Sequence, residues 1–382
     1  MRGLECAAGL FAVLAVLSDV FQSVLSPRAA GLRYRLSARL TRSIWPTWRR
    51  IGLGSDDAER REDIIGSFAP SILIVFLLTW LTVLIFGWGL VFFALSDQIK
   101  PVPQFGGAVY FAGTSLLTIG YGDYAPTGNV TRALAVICGA SGFGVVAVVT
   151  TFLFSIFGAF QQRETFVVTF GTPAGAPPSG VSFLETYGRL GITADLPELF
   201  VRAQTWSAAL LDTHLAYPVL AYFRSSHDGE SWVATLGAML DASTLLLTTV
   251  DESGSGQAKL ANELGRHLVH DLGVYFRLDV RPEPGIERYE FDLAHERLAA
   301  AGYPVRERED AWLRFTRLRA LYAPTLNAMA RFWGIPPALW IGDRSSLPVR
   351  HGVAATKIPK RESRRESQAG AVEAGPSSND RT

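Results

Sequence analysis

The sequence predicts an all-α membrane protein whose C-terminal half is a mainly helical soluble domain. Three observations predict it. Residues 1–26, 66–95 and 130–160 are almost free of Asp, Glu, Lys and Arg, and nearly all the charge lies between or after them. Hydrophobic residues make up 48% of the 382 residues and charged residues 19%, which excludes a disordered chain. Beyond residue 183, apolar residues recur at helical spacing. A net charge of +1 says little about partners and does not favour a large uniform nucleic-acid surface, so no nucleic-acid partner is expected. The two cysteines, Cys6 and Cys138, lie inside apolar runs and read as small buried residues rather than a disulfide or zinc framework.

The first apolar run covers residues 4–25 and contains Asp19. Residues 1–26 are therefore expected to be a transmembrane or interfacial helix, with Asp19 reaching out to Arg28 or to water. Residues 27–65 form an Arg-rich loop. Its first part, 27–50, holds seven arginines (Arg28, Arg33, Arg35, Arg39, Arg42, Arg49, Arg50) and no acidic residue. Such loops stay in the cytoplasm, which places the N-terminus outside and opposes a signal-peptide reading of residues 1–26. Leu32, Leu36, Leu40, Ile44 and Trp48 recur every four residues, as in an amphipathic helix on the inner leaflet. A voltage sensor would need those arginines inside an apolar span, and they lie in a polar loop.

Residues 66–95 and 133–160 are each long enough to cross the ~30 Å hydrocarbon core. Between them, 105–117 is apolar but only long enough for a half-crossing, as in a re-entrant helix. The sequence "TIGYGD", Thr118 to Asp123, follows it. Non-helical backbone at membrane depth is tolerated only where protein buries it or water reaches it. Dehydration of a cation suits this stretch, because backbone carbonyls can replace lost hydration oxygens when several chains aim them at one axis. Aiming successive carbonyls to one side requires alternating backbone hand, and Gly120 and Gly122 adopt positive φ without steric cost. Thr118 adds a hydroxyl oxygen, Ile119 and Tyr121 are expected to pack outward on surrounding helices, and Asp123 is expected at the outer mouth.

This hexapeptide, between a short apolar helix and a long one, resembles the pore of bacterial potassium channels with two spans and one pore loop. Tyr110 and Phe111 in the short helix and "YAP" after Asp123 add to the likeness, which covers about residues 66–160. The filters of that family read TVGYG; here Ile119 stands at the valine position. The resemblance implies that Thr118, Ile119, Gly120, Tyr121 and Gly122 form a selectivity filter. K+, held at Thr118, Ile119, Gly120 and Tyr121, would be the transported ion, with no cofactor and no enzymatic chemistry. One "GYG" per chain implies a homotetramer in the lipid bilayer. Two departures stand out: Leu117 replaces a frequent threonine, and Thr114 replaces a carboxylate that often backs the filter.

In the inner span the family's hinge glycine would be Gly142, and small residues there equally serve close packing. Val145, Val148 and Phe152 are the candidates for a hydrophobic constriction. Residues 161–182 are punctuated by Gly and Pro and read as a linker. Residues 183–345 read as a cytoplasmic bundle of about six helices, and 346–382 as a disordered tail. No GxGxxG after a strand and no phosphate loop appears. His267, His270 and Asp271 share a helix face at metal-ligand spacing, with surface side chains as the plainer reading. His227, Asp228 and Glu230 read as a loop and helix start. Together these features predict a potassium-selective, multi-pass channel of the plasma membrane with residues 161–382 cytoplasmic. The alternatives are a non-selective cation channel, or a membrane-anchored sensor or scaffold whose C-terminal half binds an unknown small molecule.

Overall fold

The computed structural model describes residues 2–24, 36–226, 229–251, 256–282, 285–336 and 338–341. Among these, nearly all regular structure is helical, as an all-α membrane protein requires. Among the described residues, three helical stretches are long and apolar enough to cross a membrane: α1 (Arg2–Val24), the stretch formed by α3 (Ala58–Gly66) and α4 (Phe68–Ala94), and α6 (Asn129–Ala174). Helix α1 lies along α4 and buries Val13, Val16 and Val20, one face at helical spacing. Its other face leaves Leu4, Phe11, Leu14 and Phe21 exposed, as a lipid-facing surface would be. The two helices meet at a pair of glycines: a Cβ on Gly9 would come within 2.4 Å of the Gly87 carbonyl oxygen. Small residues at such a crossing let backbones approach closely.

Asp19 does not reach outward. It is buried, its Oδ1 accepts from the Leu36 backbone N–H at 2.7 Å, and its Oδ2 accepts from Trp80 Nε1 at 2.8 Å. Leu36 is the first described residue of α2 (Leu36–Leu53). One side chain thereby ties α1, α2 and α4 together. Arg28, its expected partner, lies outside the described residues.

The apolar face of α2 rests on protein rather than on a leaflet. Leu36, Leu40, Ile44 and Trp48 pack against the core, and Leu32 lies outside the described residues. Trp45, which the four-residue series omits, is the most buried of this face, with its ring 4.9 Å from both Phe68 and Tyr222. Trp48 Nε1 donates to Ile64 O at 2.7 Å, and Arg49 Nη2 donates to Arg331 O at 2.7 Å. Rings that stack edge-on and indole donors that find carbonyls gain more from a protein surface than from acyl chains. Because α2 touches residues 222 and 331, the α2 region and the C-terminal half lie on one side of any membrane.

Helix α6 has 46 residues, or about 69 Å, more than twice the hydrocarbon thickness. Residues 161–174, expected as linker, are its continuation; only 175–179 separate it from α7 (Gly180–Leu190). Phe166, Val167, Phe170 and Ala174 supply a buried helical stripe, Pro173 falls only in the last turn, and Ser179 caps α7 through Ser182 N.

Helices α7, α8 (Leu196–Ala216), α9 (Trp232–Thr248), α10 (Gly256–Phe276), α11 (Arg288–Ala300), α12 (Arg308–Arg319) and α13 (Ala323–Trp333) complete the bundle, against an expectation of about six. The boundary between α12 and α13 falls where Pro324 opens a new helix. Helix α9 is buried nearly all round and forms the centre. Its Asp241 Oδ1 accepts from Arg319 Nε at 3.0 Å and Tyr322 Oη at 2.6 Å, and burial beside that carboxylate holds the Tyr322 phenol well above its ordinary pKa. His267 forms an exposed i, i+4 pair with Asp271 at 3.3 Å.

His214 on α8 gives the bundle a pH dependence. It is buried against Trp232, Nδ1–H donates to Leu210 O at 2.8 Å, and Nε2 has no partner among the described residues. Burial, then the nearby Arg163 charge, hold its pKa well below the ordinary 6.5. The unfolded chain therefore binds the extra proton first, so stability is complete above that value and is lost as pH falls below it. Thermal unfolding followed by tryptophan fluorescence is expected to show a lower midpoint at about pH 5 than at about pH 7, and His214→Phe should flatten that slope.

Candidate functional site

Helix α5 (Phe105–Leu116) is about 18 Å long, a half-crossing. Two short strands frame it, β1 (Ile99–Lys100) and β2 (Ala125–Pro126), paired antiparallel. Phe111 packs edge-on to Phe92 of α4 at 4.8 Å, and Cys138 Sγ of α6 faces Ala112 O at 3.7 Å. The short helix is thus wedged between the two long ones. Past it, residues 117–123 return with no helix or strand.

That return alternates in hand. Thr118, Gly120 and Gly122 have φ of +57°, +60° and +80°, while Ile119 and Tyr121 between them stay negative. Only two other described non-glycine residues, Arg277 and Trp340, have positive φ, so Thr118 is unusual for a β-branched residue. Successive peptide planes of opposite hand turn their carbonyls toward a common side. The sequence pointed to the two glycines; the left-handed Thr118 completes a strict two-residue period. A Cβ added at Gly120 or Gly122 would meet nothing within 4 Å, so these positions need glycine for its dihedral freedom, not for space.

The segment hangs from the end of α5. Ile119 N and Gly120 N both donate to Thr114 O, at 2.8 and 3.3 Å, and Thr118 N donates to Ser115 O at 3.2 Å. Thr114 thus backs the segment with its carbonyl, while its hydroxyl donates to Phe111 O at 3.1 Å. Ile119 is 49% exposed and Tyr121 71% exposed: within one protomer neither finds the packing surface expected for it. Asp123 is exposed at the end of the segment, and Tyr110 of α5 interacts with it while packing edge-on to Tyr124. Thr127 donates to Gln98 O through both its N–H and its Oγ1, at 2.8 and 3.0 Å, which fixes the chain beyond.

On α6, Gly142 is a contact point. A Cβ there would lie 2.1 Å from Leu116 O, so glycine lets α6 touch the end of α5, and the helix runs unbroken through it. Val145 and Phe152 are buried within the protomer, at 2% and 7% exposure, and Phe152 packs edge-on to Tyr217 at 5.6 Å. That burial leaves neither side chain an open surface for the hydrophobic constriction expected of them; Val148 is half-buried. Helix rotation decides which side chains face where, and the sequence of an all-apolar helix does not encode it. Ala147, Thr150, Thr151 and Phe154 are exposed at helical spacing on α6, as are Val146, Leu153 and Phe157.

One buried pair escaped the sequence reading. Arg163 Nε donates to Glu164 Oε1 at 2.9 Å, and its other nitrogens donate to Leu220 O at 3.1 Å and Phe223 O at 3.0 Å. Glu164 accepts from Ser225 Oγ and Ser226 N, both at 3.3 Å. This pair fastens the long helix to residues 220–226. Its signal was two adjacent charges inside the aromatic run 157–170.

Residues 78–159 match the ion channel family. The match takes in most of α4, all of α5, the alternating segment and α6 as far as Ala159. The chain is also 23% identical over 349 residues to Uncharacterized membrane protein YdjJ of Bacillus subtilis (strain 168). That similarity covers 86% of this chain and 94% of the relative, so it extends well past the channel-type segment. No solved structure matches. The chain is an all-α membrane protein carrying an ion-channel-type segment.

Proposed function

We propose that the protein conducts potassium selectively and passively as a homotetramer, with Thr118, Ile119, Gly120, Tyr121 and Gly122 as the filter. The observation that carries this reading is the alternation of φ at residues 118–122. Stacked rings of carbonyls would replace the hydration shell of K+, and ions would move by mutual displacement between sites. The exposure of Ile119 and Tyr121 supports assembly, because neighbouring copies supply the surface that one protomer lacks. Asp123 would raise local cation concentration at the mouth. The exposed residues Ala147, Thr150, Thr151 and Phe154 replace Val145 and Phe152 as candidates to line the pathway.

The arginines of residues 27–50 favour the cytoplasmic side for that loop and for the C-terminal half it touches, in the plasma membrane. Purified full-length protein in liposomes tests the reading: potassium flux well above sodium flux is expected. Gly122→Asp, which sets a carboxylate among the carbonyl rings, should remove that preference. Equal fluxes in the unaltered protein, or a dimer or monomer by native mass measurement, would refute it.

A further inference from the structure

Residues 161–174 are the last turns of α6, past the length that a membrane span uses. Two charged residues fall there, Arg163 and Glu164, and both are turned into the protomer, where they hold residues 220–226. The exposed residues of the same stretch are Gln161, Gln162, Thr165, Val168, Thr169 and Thr172, none of them charged. A helix face in contact with water is built the other way round: α12 exposes Arg308, Glu309, Arg314 and Arg317.

At about 100° per residue the six uncharged positions lie on one arc of about 120°. Along it, Gln161, Thr165, Val168 and Thr172 are spaced four, three and four, the period that keeps one seam of a helix facing a parallel neighbour. The threonine hydroxyls are spent on their own helix. Thr165 Oγ1 donates to Gln161 O at 2.9 Å, Thr169 Oγ1 to Thr165 O at 2.7 Å and Thr172 Oγ1 to Val168 O at 3.0 Å. Covering this face with another helix therefore strands no hydroxyl donor. The amides of Gln161 and Gln162 each carry a donor and an acceptor, so equivalent residues of two copies can pair. By the same count Ala147, Thr150, Thr151 and Phe154 fall on this arc, whereas Val146, Leu153 and Phe157 fall to one side of it.

We propose that residues 161–172 pair with the same residues of neighbouring copies as a parallel four-helix stalk, with Gln161, Thr165, Val168 and Thr172 at its seam. The stalk rests on the channel reading, which sets four copies of α6 around one axis. Because α6 is unbroken from Asn129 to Ala174, the face that meets the axis within the membrane continues beyond it. The opposite face of each helix stays fastened to residues 220–226, so the stalk also fixes the four C-terminal bundles around the axis.

Single cysteines test the seam in purified full-length protein, oxidised with copper phenanthroline and run on a denaturing gel without reductant. Thr165→Cys and Thr172→Cys, both exposed within a protomer, should each shift most of the chain into a disulfide-linked dimer. Lys259→Cys, exposed on α10, should stay monomeric, and the unaltered chain, with Cys6 and Cys138, gives the background. Adding Val168→Asp to the Thr165→Cys chain sets like charges against one another in the seam and should remove most of the dimer. A native tetramer in which neither seam cysteine links would overturn the stalk and leave the conduction reading standing, whereas absence of a tetramer would overturn both. Linking at Lys259→Cys as strong as at Thr165→Cys, or linking of the seam cysteines to a different protein, would also overturn the stalk.

Discussion

In the Gly120→Val variant, potassium flux into liposomes is expected to fall to background, and any residual potassium-to-sodium ratio to about one. The cause is backbone strain. Gly120 sits at φ +60°, where a β-branched residue is a steric outlier. The left-handed conformation costs an L-residue about 1–2 kcal/mol, or ~4–8 kcal/mol over four copies of the proposed ring. Valine therefore favours a conformation in which the carbonyls of residues 118–122 no longer turn to a common side. A clash within the protomer is not the reason, since a Cβ at this position meets nothing within 4 Å. Gly142→Val makes the contrast: its Cβ would fall 2.1 Å from Leu116 O and should prevent α5 and α6 from packing at all. Gly120→Val should thus assemble like the unaltered protein by native mass measurement yet lose selectivity, whereas Gly142→Val should fail to assemble. Normal selectivity in a well-assembled Gly120→Val protein would remove the filter assignment.

Much of the membrane half was legible because its signals are long or stereochemically forced. Runs of apolar residues fix the number of long helices, and two glycines flanking a tyrosine point to alternating backbone hand. Thr118 was not legible as left-handed, because nothing in a threonine announces positive φ; the Thr114 carbonyl that holds Ile119 and Gly120 is likewise invisible as a side-chain pattern. The length of α6 was hidden by Gly171, Pro173 and Gly175, which read as linker although Phe166 and Phe170 keep the helical stripe. Val145 and Phe152 were placed wrongly because an apolar helix offers no polar face by which to set its rotation. Helix α10 shows a related limit. Leu260, Leu264, Leu268 and Leu272 recur at helical spacing, yet Leu260 is half-exposed while Ala258, Ala261 and Gly265 are buried. Close approach to α9 selects small side chains, so the hydrophobic series marks only part of the contact. Asp19 was misread because Leu36 N–H and Trp80 Nε1, far along the chain, satisfy it; of the partners of Arg163 only Glu164 is adjacent, and the Leu220 and Phe223 carbonyls leave no trace in sequence spacing.

Arg163→Met is expected to release residues 220–226 from α6 and to lower the stability of the C-terminal bundle by about 3–5 kcal/mol. Arg163 and Glu164 are both buried, at 3% and 7% exposure, so removing the guanidinium leaves a carboxylate in the interior with only Ser225 and Ser226 at 3.3 Å. Removing both charges should cost less than removing one. In Arg163→Met/Glu164→Leu no ion is stranded, and most of the loss should return. The hydrogen bonds from Arg163 to Leu220 O and Phe223 O do not return, so the two contributions separate. Denaturant unfolding monitored by tryptophan fluorescence gives the stability of the two variants, and Trp206, whose Nε1 donates to Arg163 O at 3.1 Å, reports locally. Hydrogen exchange over 220–226 gives the latch itself: fast exchange is expected in both variants, with global stability low only in the single one. A double variant as unstable as the single would instead assign the joint to the two carbonyl contacts, with the charge pair contributing little.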